Sequence, residues 1–369
     1  MKKISVLFIF TMLLISCNVK KSTCSENRRW SQEKAKAWYA TQPWLVGSDY
    51  IPSNAINQLE MWQAETFDTT TIAKEMTLSA SLGMNTHRVY LHSLAWKADP
   101  EGFKSRINIF LNITTRNGIR PVFVIFDDCW NPYPQIGAQP QGIAHTHNSG
   151  WVQDPGMVAH ENWEKAFPML EKYVKDLLTT FAKDERILMW DLYNEPGNQG
   201  PISKDVPRPA NYGNKSMPLV KKVFEWAREV NPTQPLTMGI WNLDFTELNQ
   251  FQIANSDILT YHNYNDKADH EKEIKYLQIF DRPFICTEYM SRGSNSTFAD
   301  ILPILKKYKI GAINWGFVSG KTQTIYPWDS WEKQYTAEPE LWFHDIFRKD
   351  LTPYDEKEVK LIRELTGKK

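Results

Sequence analysis

Short apolar runs alternate along the chain with longer stretches whose apolar positions recur every three or four residues. The short runs predict strands at Trp44–Gly47, Thr86–Leu91, Pro121–Phe126, Ile187–Tyr193, Leu236–Ile240, Ile258–His262, Phe284–Thr287 and Ala312–Gly316. Most are continuously apolar, as strands covered on both faces must be. The longer stretches predict helices over Thr70–Leu82, Phe103–Arg116, Trp163–Ala182, Leu219–Val230, Lys267–Gln278 and Phe298–Lys307. Glycine or proline breaks precede several strands, at Gly83, Gly118, Pro235, Pro283 and Gly311. This alternation is the pattern of βα units and a parallel sheet. Eight strands over this length fit a single (β/α)8 TIM barrel in the α/β class. An open doubly wound sheet is the alternative, and it usually carries a glycine-rich phosphate loop; neither GxGxxG nor GxxxxGK occurs. A further helix candidate, Trp30–Thr41, precedes the first strand and is expected to cover the bottom of the barrel.

Two connections are longer than a barrel needs. Asp127–His160 follows the third strand, and Ser319–Ala337, with Trp328 and Trp331, follows the eighth. Both leave C-terminal strand ends, where a barrel carries its chemistry, and long loops there are more often functional than decorative.

The first residues follow a different pattern. Met1-Lys2-Lys3 is a positive start, and Ile4 to Ile15 is an apolar run too short to span a bilayer as a helix. Leu14-Ile15-Ser16-Cys17 resembles the lipobox of bacterial lipoproteins, which would make residues 1–17 an export leader and Cys17 the lipidated residue. An ordinary cleaved signal peptide is the alternative. Residues 18–29 are polar and charged and read as a flexible tether, leaving 30–369 as the barrel domain. The expectation is an exported protein held to a membrane only by its N-terminal lipid, facing either the periplasm or the cell exterior.

Charge narrows the partners. Lys plus Arg and Asp plus Glu each number 43, so the chain has no excess of basic charge for nucleic acid. Beyond Cys17, Cys24, Cys129 and Cys286 are an odd number at wide spacing and define no disulfide framework. There is no CxxC or zinc spacing; His145-x-His147 is the one pair that suggests a metal, and no metal or organic cofactor is expected. The 15 Trp exceed what a core needs, and an indole in a cleft offers a flat platform for the apolar face of a sugar.

Two carboxylates stand at strand mouths. Glu195 closes the fourth strand within Asn194-Glu195-Pro196, where Pro196 cannot continue the ladder, and Glu288 closes the seventh. Side chains from well-separated strands face one another across a barrel mouth. Such a pair suits glycoside hydrolysis, one acid protonating the leaving oxygen and one carboxylate attacking or activating water; about 5–5.5 Å between them gives retention.

With these residues in view, nearly the whole chain after the tether resembles glycoside hydrolase clan A, and most closely the cellulase-type family 5. Gly83-x-Asn85-x-x-Arg88, Asn194-Glu195-Pro196, His262-x-Tyr264, Glu288 and Trp315 follow the family's order, each on the expected strand. The resemblance implies Glu195 as acid/base and Glu288 as nucleophile. It implies Arg88 and Tyr264 as supports of the nucleophile, Asn194 as a contact to the sugar 2-hydroxyl, and Trp315 as the platform under the reacting sugar. Arg88 and Tyr264 would favour the charged form of Glu288, and proximity to Glu288 would raise the pKa of Glu195. Many family 5 enzymes have a histidine near the end of strand three. This chain reads Phe126-Asp127-Asp128-Cys129-Trp130 there, leaving Asp127, Asp128, His145 or His147 to fill that place. Trp62 in the first loop (Pro52–Glu65), Trp130, Trp151, Trp241 and Lys321 are further candidates for binding substrate.

The expected function is a retaining β-glycosidase acting on mannan-, xylan- or glucan-type poly- or oligosaccharides, in endo or exo mode. A surface glycan-binding lipoprotein that kept the barrel and lost catalysis is the rival; such proteins usually lack one of the two carboxylates. Another clan A family with the same glutamates would share fold and mechanism but not substrate.

Overall fold

The computed structural model describes residues 29–198 and 212–368. The expected leader, the lipidation site Cys17 and the tether to residue 28 lie outside the described residues. Arg29, the last tether position, belongs to the fold: its guanidinium donates to the carbonyls of Ser256 (2.8 Å) and Ile253 (2.5 Å).

Eight strands run parallel: β1 (Val46–Tyr50), β2 (Thr86–Tyr90), β3 (Arg120–Val124), β4 (Met189–Asp191), β5 (Leu236–Thr237), β6 (Leu259–His262), β7 (Phe284–Glu288) and β8 (Gly311–Asn314). Their hydrogen-bonded order is β5-β4-β3-β2-β1-β8-β7-β6. The seam between β5 and β6 is bridged by Ile240, whose N–H donates to Thr260 (2.9 Å) and whose carbonyl accepts from His262 (2.8 Å). The ring therefore closes into a (β/α)8 barrel with helices outside. The register pairs Gly47 with Thr86 and Asp49 with Arg88. A Cβ on Gly47 would lie 1.8 Å from the Thr86 carbonyl oxygen, so only glycine allows this approach.

The barrel interior changes character along its axis. At the bottom Leu45, Val122, Met189, Ile258, Ile285 and Ile313 form an apolar plug. Helix Gln32–Ala40 seals it with Ala35, and Trp38 and Tyr39 pack beside it. Higher up the interior is polar, with Asp49 paired to Arg88; on the outer face of the same strands the Ser48 hydroxyl meets His87 Nδ1 at 3.0 Å, and His87 Nε2 meets Ser79 of helix Thr69–Ser81 at 2.7 Å. This polarity explains why β1 extends to Tyr50 although the apolar pattern predicts an end at Gly47. Buried polar side chains belong in a strand when their partners stand on the next one.

Predicted helices 267–278 and 298–307 match the structure, and the other predicted helices differ by a few residues at their ends. Besides the short helices Gln58–Trp62, Ser93–Ala98 and Met157–Glu161, two longer ones escape the pattern. Thr246–Asn255 buries Asn249 and Gln252 beside Leu248, so its inner face is not apolar, and Glu356–Thr366 packs against 298–307 as the last helix of the ring. The first loop contains a short helix, Gln58–Trp62, and this corrects one site assignment. Trp62 is fully buried, its Nε1 donates to the Tyr90 carbonyl (2.7 Å), and its ring packs edge-on to Phe103, Phe110 and Phe123. It is a core residue, because a helix between the β1 and β2 strands turns that face inward.

Candidate active site

The two glutamates meet at the top of the barrel. Glu288 is the last residue of β7 and only 4% exposed. Glu195 follows β4 and has φ +43°, a left-handed conformation that takes the chain off the strand direction before Pro196. A non-glycine residue held there costs on the order of 1–3 kcal/mol, sustained only by its surroundings. Between the two, His262 Nδ1 lies 2.7 Å from Glu195 Oε1 and 3.5 Å from Glu288 Oε2. The three side chains place a ligating atom each within 4.8 Å of one another, the one grouping among the described residues with the donor chemistry to hold a metal. Burial drives the pKa of His262 down to about 4, so its imidazole is neutral at neutral pH.

Glu288 collects three donors. Oε1 accepts from Arg88 Nη1 (2.8 Å) and the Tyr90 hydroxyl (3.0 Å), and Oε2 accepts from the Tyr264 hydroxyl (2.7 Å). Arg88 is fully buried and also binds Asp49 (2.9 Å), Asp191 (2.8 Å) and the Asn194 side-chain oxygen (2.7 Å). With its oxygen facing Arg88, the Asn194 amide donates to Asp127 Oδ1 (2.9 Å), which fixes its orientation.

Glu195 is held differently. Oε1 faces His262, while Oε2 accepts from the Asn198 amide and meets the Cys129 thiol at 3.3 Å. Burial raises its pKa above the usual carboxylate range; the Asn198 and Cys129 contacts and the Arg88 charge oppose this. The direction is the one the sequence suggests, but its main cause is desolvation rather than the neighbouring carboxylate. The carboxyl thus keeps its proton further toward neutral pH.

At the end of strand three Cys129 and Trp130 line the cavity, together with His147 from the following loop; the Cys129 thiol lies against Glu195, Asn194 (3.5 Å) and Asn198 (3.4 Å). Sequence reasoning missed it, treating a lone cysteine only as a disulfide candidate. Asp127 stands behind the site instead. Its Oδ2 accepts from Trp151 Nε1 (2.6 Å) and Gln58 (3.1 Å), and burial pushes its pKa to about 7. Asp128 is also structural: it accepts from the Tyr193 hydroxyl (2.6 Å), His160 (3.0 Å) and Ser216. Burial alone would raise its pKa, and the His160 charge and these donors outweigh that and lower it.

A cavity of about 310 Å³ opens over the glutamates, with Trp130, Trp241, Tyr264, Trp315 and Trp328 in its wall. Trp151 is not in that wall; it is buried and packs edge-on against Trp315 at 5.9 Å, supporting it from behind. Lys321 also lies outside the wall, paired with Glu60 at 2.5 Å. His147 reaches the wall with Nδ1 against the Tyr326 carbonyl (2.8 Å), whereas His145 Nδ1 meets the Tyr326 hydroxyl (2.5 Å), so each ring is engaged by a protein oxygen. Tyr90, Asp49, Asp191 and Asn198 are further members of the site that the sequence did not single out.

The family model described as Cellulase (glycosyl hydrolase family 5) matches residues 52–320. No curated protein sequence matches the chain. Among solved structures, a GH5_18 protein from Streptomyces cattleya in complex with GlcNAc is similar at 11% identity and TM-score 0.61, over 88% of this chain and 79% of its own. The hyperthermostable endo-1,4-β-D-mannanase of Thermotoga petrophila RKU-1 is similar at 14% identity and TM-score 0.55, over 88% and 99%. The exo-β-1,4-mannosidase Op5Man5 from Opitutaceae bacterium strain TAV5 is similar at 17% identity and TM-score 0.59, over 88% and 59%. These likenesses establish the shared barrel.

Proposed function

Because the chain belongs to the cellulase family, glycosyl hydrolase family 5, we propose that it cleaves β-glycosidic bonds with retention, Glu288 attacking the anomeric carbon and Glu195 serving as acid and then as base. The observation that carries this reading is the approach of the two carboxylates, with oxygens within 4.8 Å. Retaining pairs stand about 5–5.5 Å apart, whereas inverting pairs leave roughly 6.5–9.5 Å for a water between them.

The remaining groups support each step. Glu195 delivers its proton to the leaving oxygen as Glu288 forms the glycosyl ester. Arg88, Tyr90 and Tyr264 then hold the ester carboxyl in place. Esterification removes the charge on Glu288, which favours the charged form of Glu195. Glu195 now takes a proton from water, and that water attacks the same face the leaving group left. His262, neutral and between the two carboxylates, keeps Glu195 turned toward the bond.

The substrate class we assign is a β-linked oligo- or polysaccharide of mannan, xylan or glucan type. A β-mannoside is the first choice to test, since the similar structures include a β-mannanase and an exo-β-mannosidase. Following the anomer first released by proton NMR decides the stereochemistry, and an inverted product refutes the mechanism. We further propose export and lipid anchoring through Cys17; Cys17→Ser should release the protein from membranes, and unchanged membrane association would count against it.

A further inference from the structure

The connections after β1, β3 and β8 are knitted together over one side of the barrel mouth. Asn148 N–H donates to the Thr322 carbonyl (2.8 Å), His145 N–H to the Gln323 side-chain oxygen (2.7 Å), and His147 N–H to Ser330 Oγ (2.9 Å). In return the Gln323 amide donates to Ile143 (2.8 Å) and Trp331 Nε1 to the His147 carbonyl (2.8 Å). The β1 connection joins through Asn57 to Gly150 (2.9 Å), Gln63 to Gly137 (2.9 Å), and Lys321 N–H to Ser53 (3.0 Å). Trp130 stacks on Trp331 across this junction, with centroids 5.9 Å apart and planes at 13°. His147 and Asn148 are 1% and 0% exposed, so the tip of the long loop is packed into a wall and is not a surface flap.

We propose that this wall closes the glycone end of the cleft, so that the enzyme removes single sugars from the non-reducing end of a β-linked chain. The inference rests on the retaining reading above, which sets the direction of the substrate. Trp315 on β8 stands next to Glu288, its backbone N–H donating to the Tyr289 carbonyl (3.0 Å), so the sugar attacked by Glu288 would lie toward Trp315 and the leaving group toward Glu195 on β4. The wall is made by the connections after β8 and β1 and by the tip of the β3 connection, which crosses to them and reaches Trp315 through Trp151, and Trp130 and His147 present its inner face to the cavity. A further sugar beyond the reacting one would have to pass through backbone and side chains held by the bonds above. The opposite rim carries Trp241 and Asn265 in the cavity wall, an aromatic face and an amide suited to the sugar on the leaving side.

Two measurements test this. The first digests β-1,4-mannopentaose and cellopentaose carrying a fluorophore at the reducing end. The proposal expects free monosaccharide and labelled products that shorten one sugar at a time; early labelled di- and trisaccharides from internal cuts would overturn it. The second does not depend on turnover and uses the full chain with Glu288→Gln. Calorimetry compares β-1,4-mannotriose and cellotriose with their analogues methylated at O4 of the non-reducing end. A closed end should reject the extra methyl group by roughly 10–200-fold in affinity, and equal binding of capped and uncapped ligands overturns the closed wall. Loss of all hydrolysis with retained discrimination against the cap would refute the glycosidase reading and leave the wall standing.

Discussion

Replacing each glutamate by alanine in turn and supplying azide distinguishes their roles by the stereochemistry of the product. In Glu195→Ala the wall loses a carboxylate held by His262 at 2.7 Å and met by Asn198 and Cys129. Those groups remain around a space that a small anion can enter. General acid–base catalysis contributes about 10²–10⁴-fold, or roughly 2.7–5.5 kcal/mol. The variant should lose that much on oligosaccharides, whose leaving oxygen needs a proton. A 2,4-dinitrophenyl β-glycoside needs none, so its first step survives and the glycosyl-enzyme accumulates. Azide then replaces water and attacks the face the leaving group left, giving the β-glycosyl azide and restored turnover. In Glu288→Ala the azide takes the place of the nucleophile on the opposite face, and the product is the α-glycosyl azide. Both products are assigned by proton NMR. An α product from Glu195→Ala, or a β product from Glu288→Ala, would show that the two roles are reversed and refute the assignment.

Other perturbations test the supporting groups. Tyr264→Phe removes the 2.7 Å hydrogen bond to Glu288 Oε2; a bond to a charged group is worth about 1.5–3 kcal/mol, so kcat should fall roughly 10–150-fold, and an unchanged kcat would exclude the tyrosine from the mechanism. Cys129→Ala removes a contact that lowers the Glu195 pKa. Glu195 then stays protonated to higher pH, and the alkaline limb of kcat/KM should move upward, with Cys129→Ser returning it; a fixed limb denies Cys129 this role. Burial pushes Asp154 up to about 8. A raised folded pKa gives stability that is fully present below the unfolded value of about 3.9 and lost as pH rises through about 8. Melting temperature should therefore fall across that window and fall less in Asp154→Asn; parallel profiles would contradict this. Trp62→Ala should cost about 3–5 kcal/mol in denaturant unfolding while leaving KM unchanged in the folded enzyme, and a raised KM would restore Trp62 to the site.

The periodic parts of the fold were legible. Strands buried on both faces and helices with one apolar stripe signal themselves by composition, and the positions of Glu195 and Glu288 followed from where those strands end. What stayed hidden was whatever depends on two distant segments meeting. Trp62 looks like a loop aromatic until Phe103, Phe110 and Phe123 are seen around it. Asp127 looks like a substrate contact until its oxygens are found bound to Asn194, Trp151 and Gln58. Helix Thr246–Asn255 has no clear apolar stripe, because Gln252 is buried with its amide donating to the Gly239 carbonyl (2.8 Å). Cys129 carries no motif at all; only the approach of β3 and β4 places its thiol on Glu195.

The buried cluster behind Glu288 bears on how the fold's polar interior would serve the proposed chemistry. Arg88 is a single fixed cation facing the carboxyl groups of Asp49, Asp191 and Glu288. Three charged carboxylates on one guanidinium would leave two uncompensated negative charges in a dry interior, where like charges repel strongly. Burial therefore favours protonation within the cluster. Burial raises the pKa of both Asp49 and Asp191 against the pull of Arg88, and for Asp49 the charge on Glu288 adds to the rise. Asp49 Oδ2 and Asp191 Oδ1 both lack a hydrogen-bond partner among the described residues, so each aspartate has a free oxygen on which a proton can sit. Tyr90 and Tyr264 add neutral donors to the Glu288 carboxyl beside the Arg88 guanidinium. In the mechanism proposed above, esterification of Glu288 would leave Arg88 still paired with Asp49 and Asp191, so no buried cation would be stranded in the intermediate. An aspartate on β1 and another on β4 would thus let the same arginine support Glu288 both as a carboxylate and as the proposed ester.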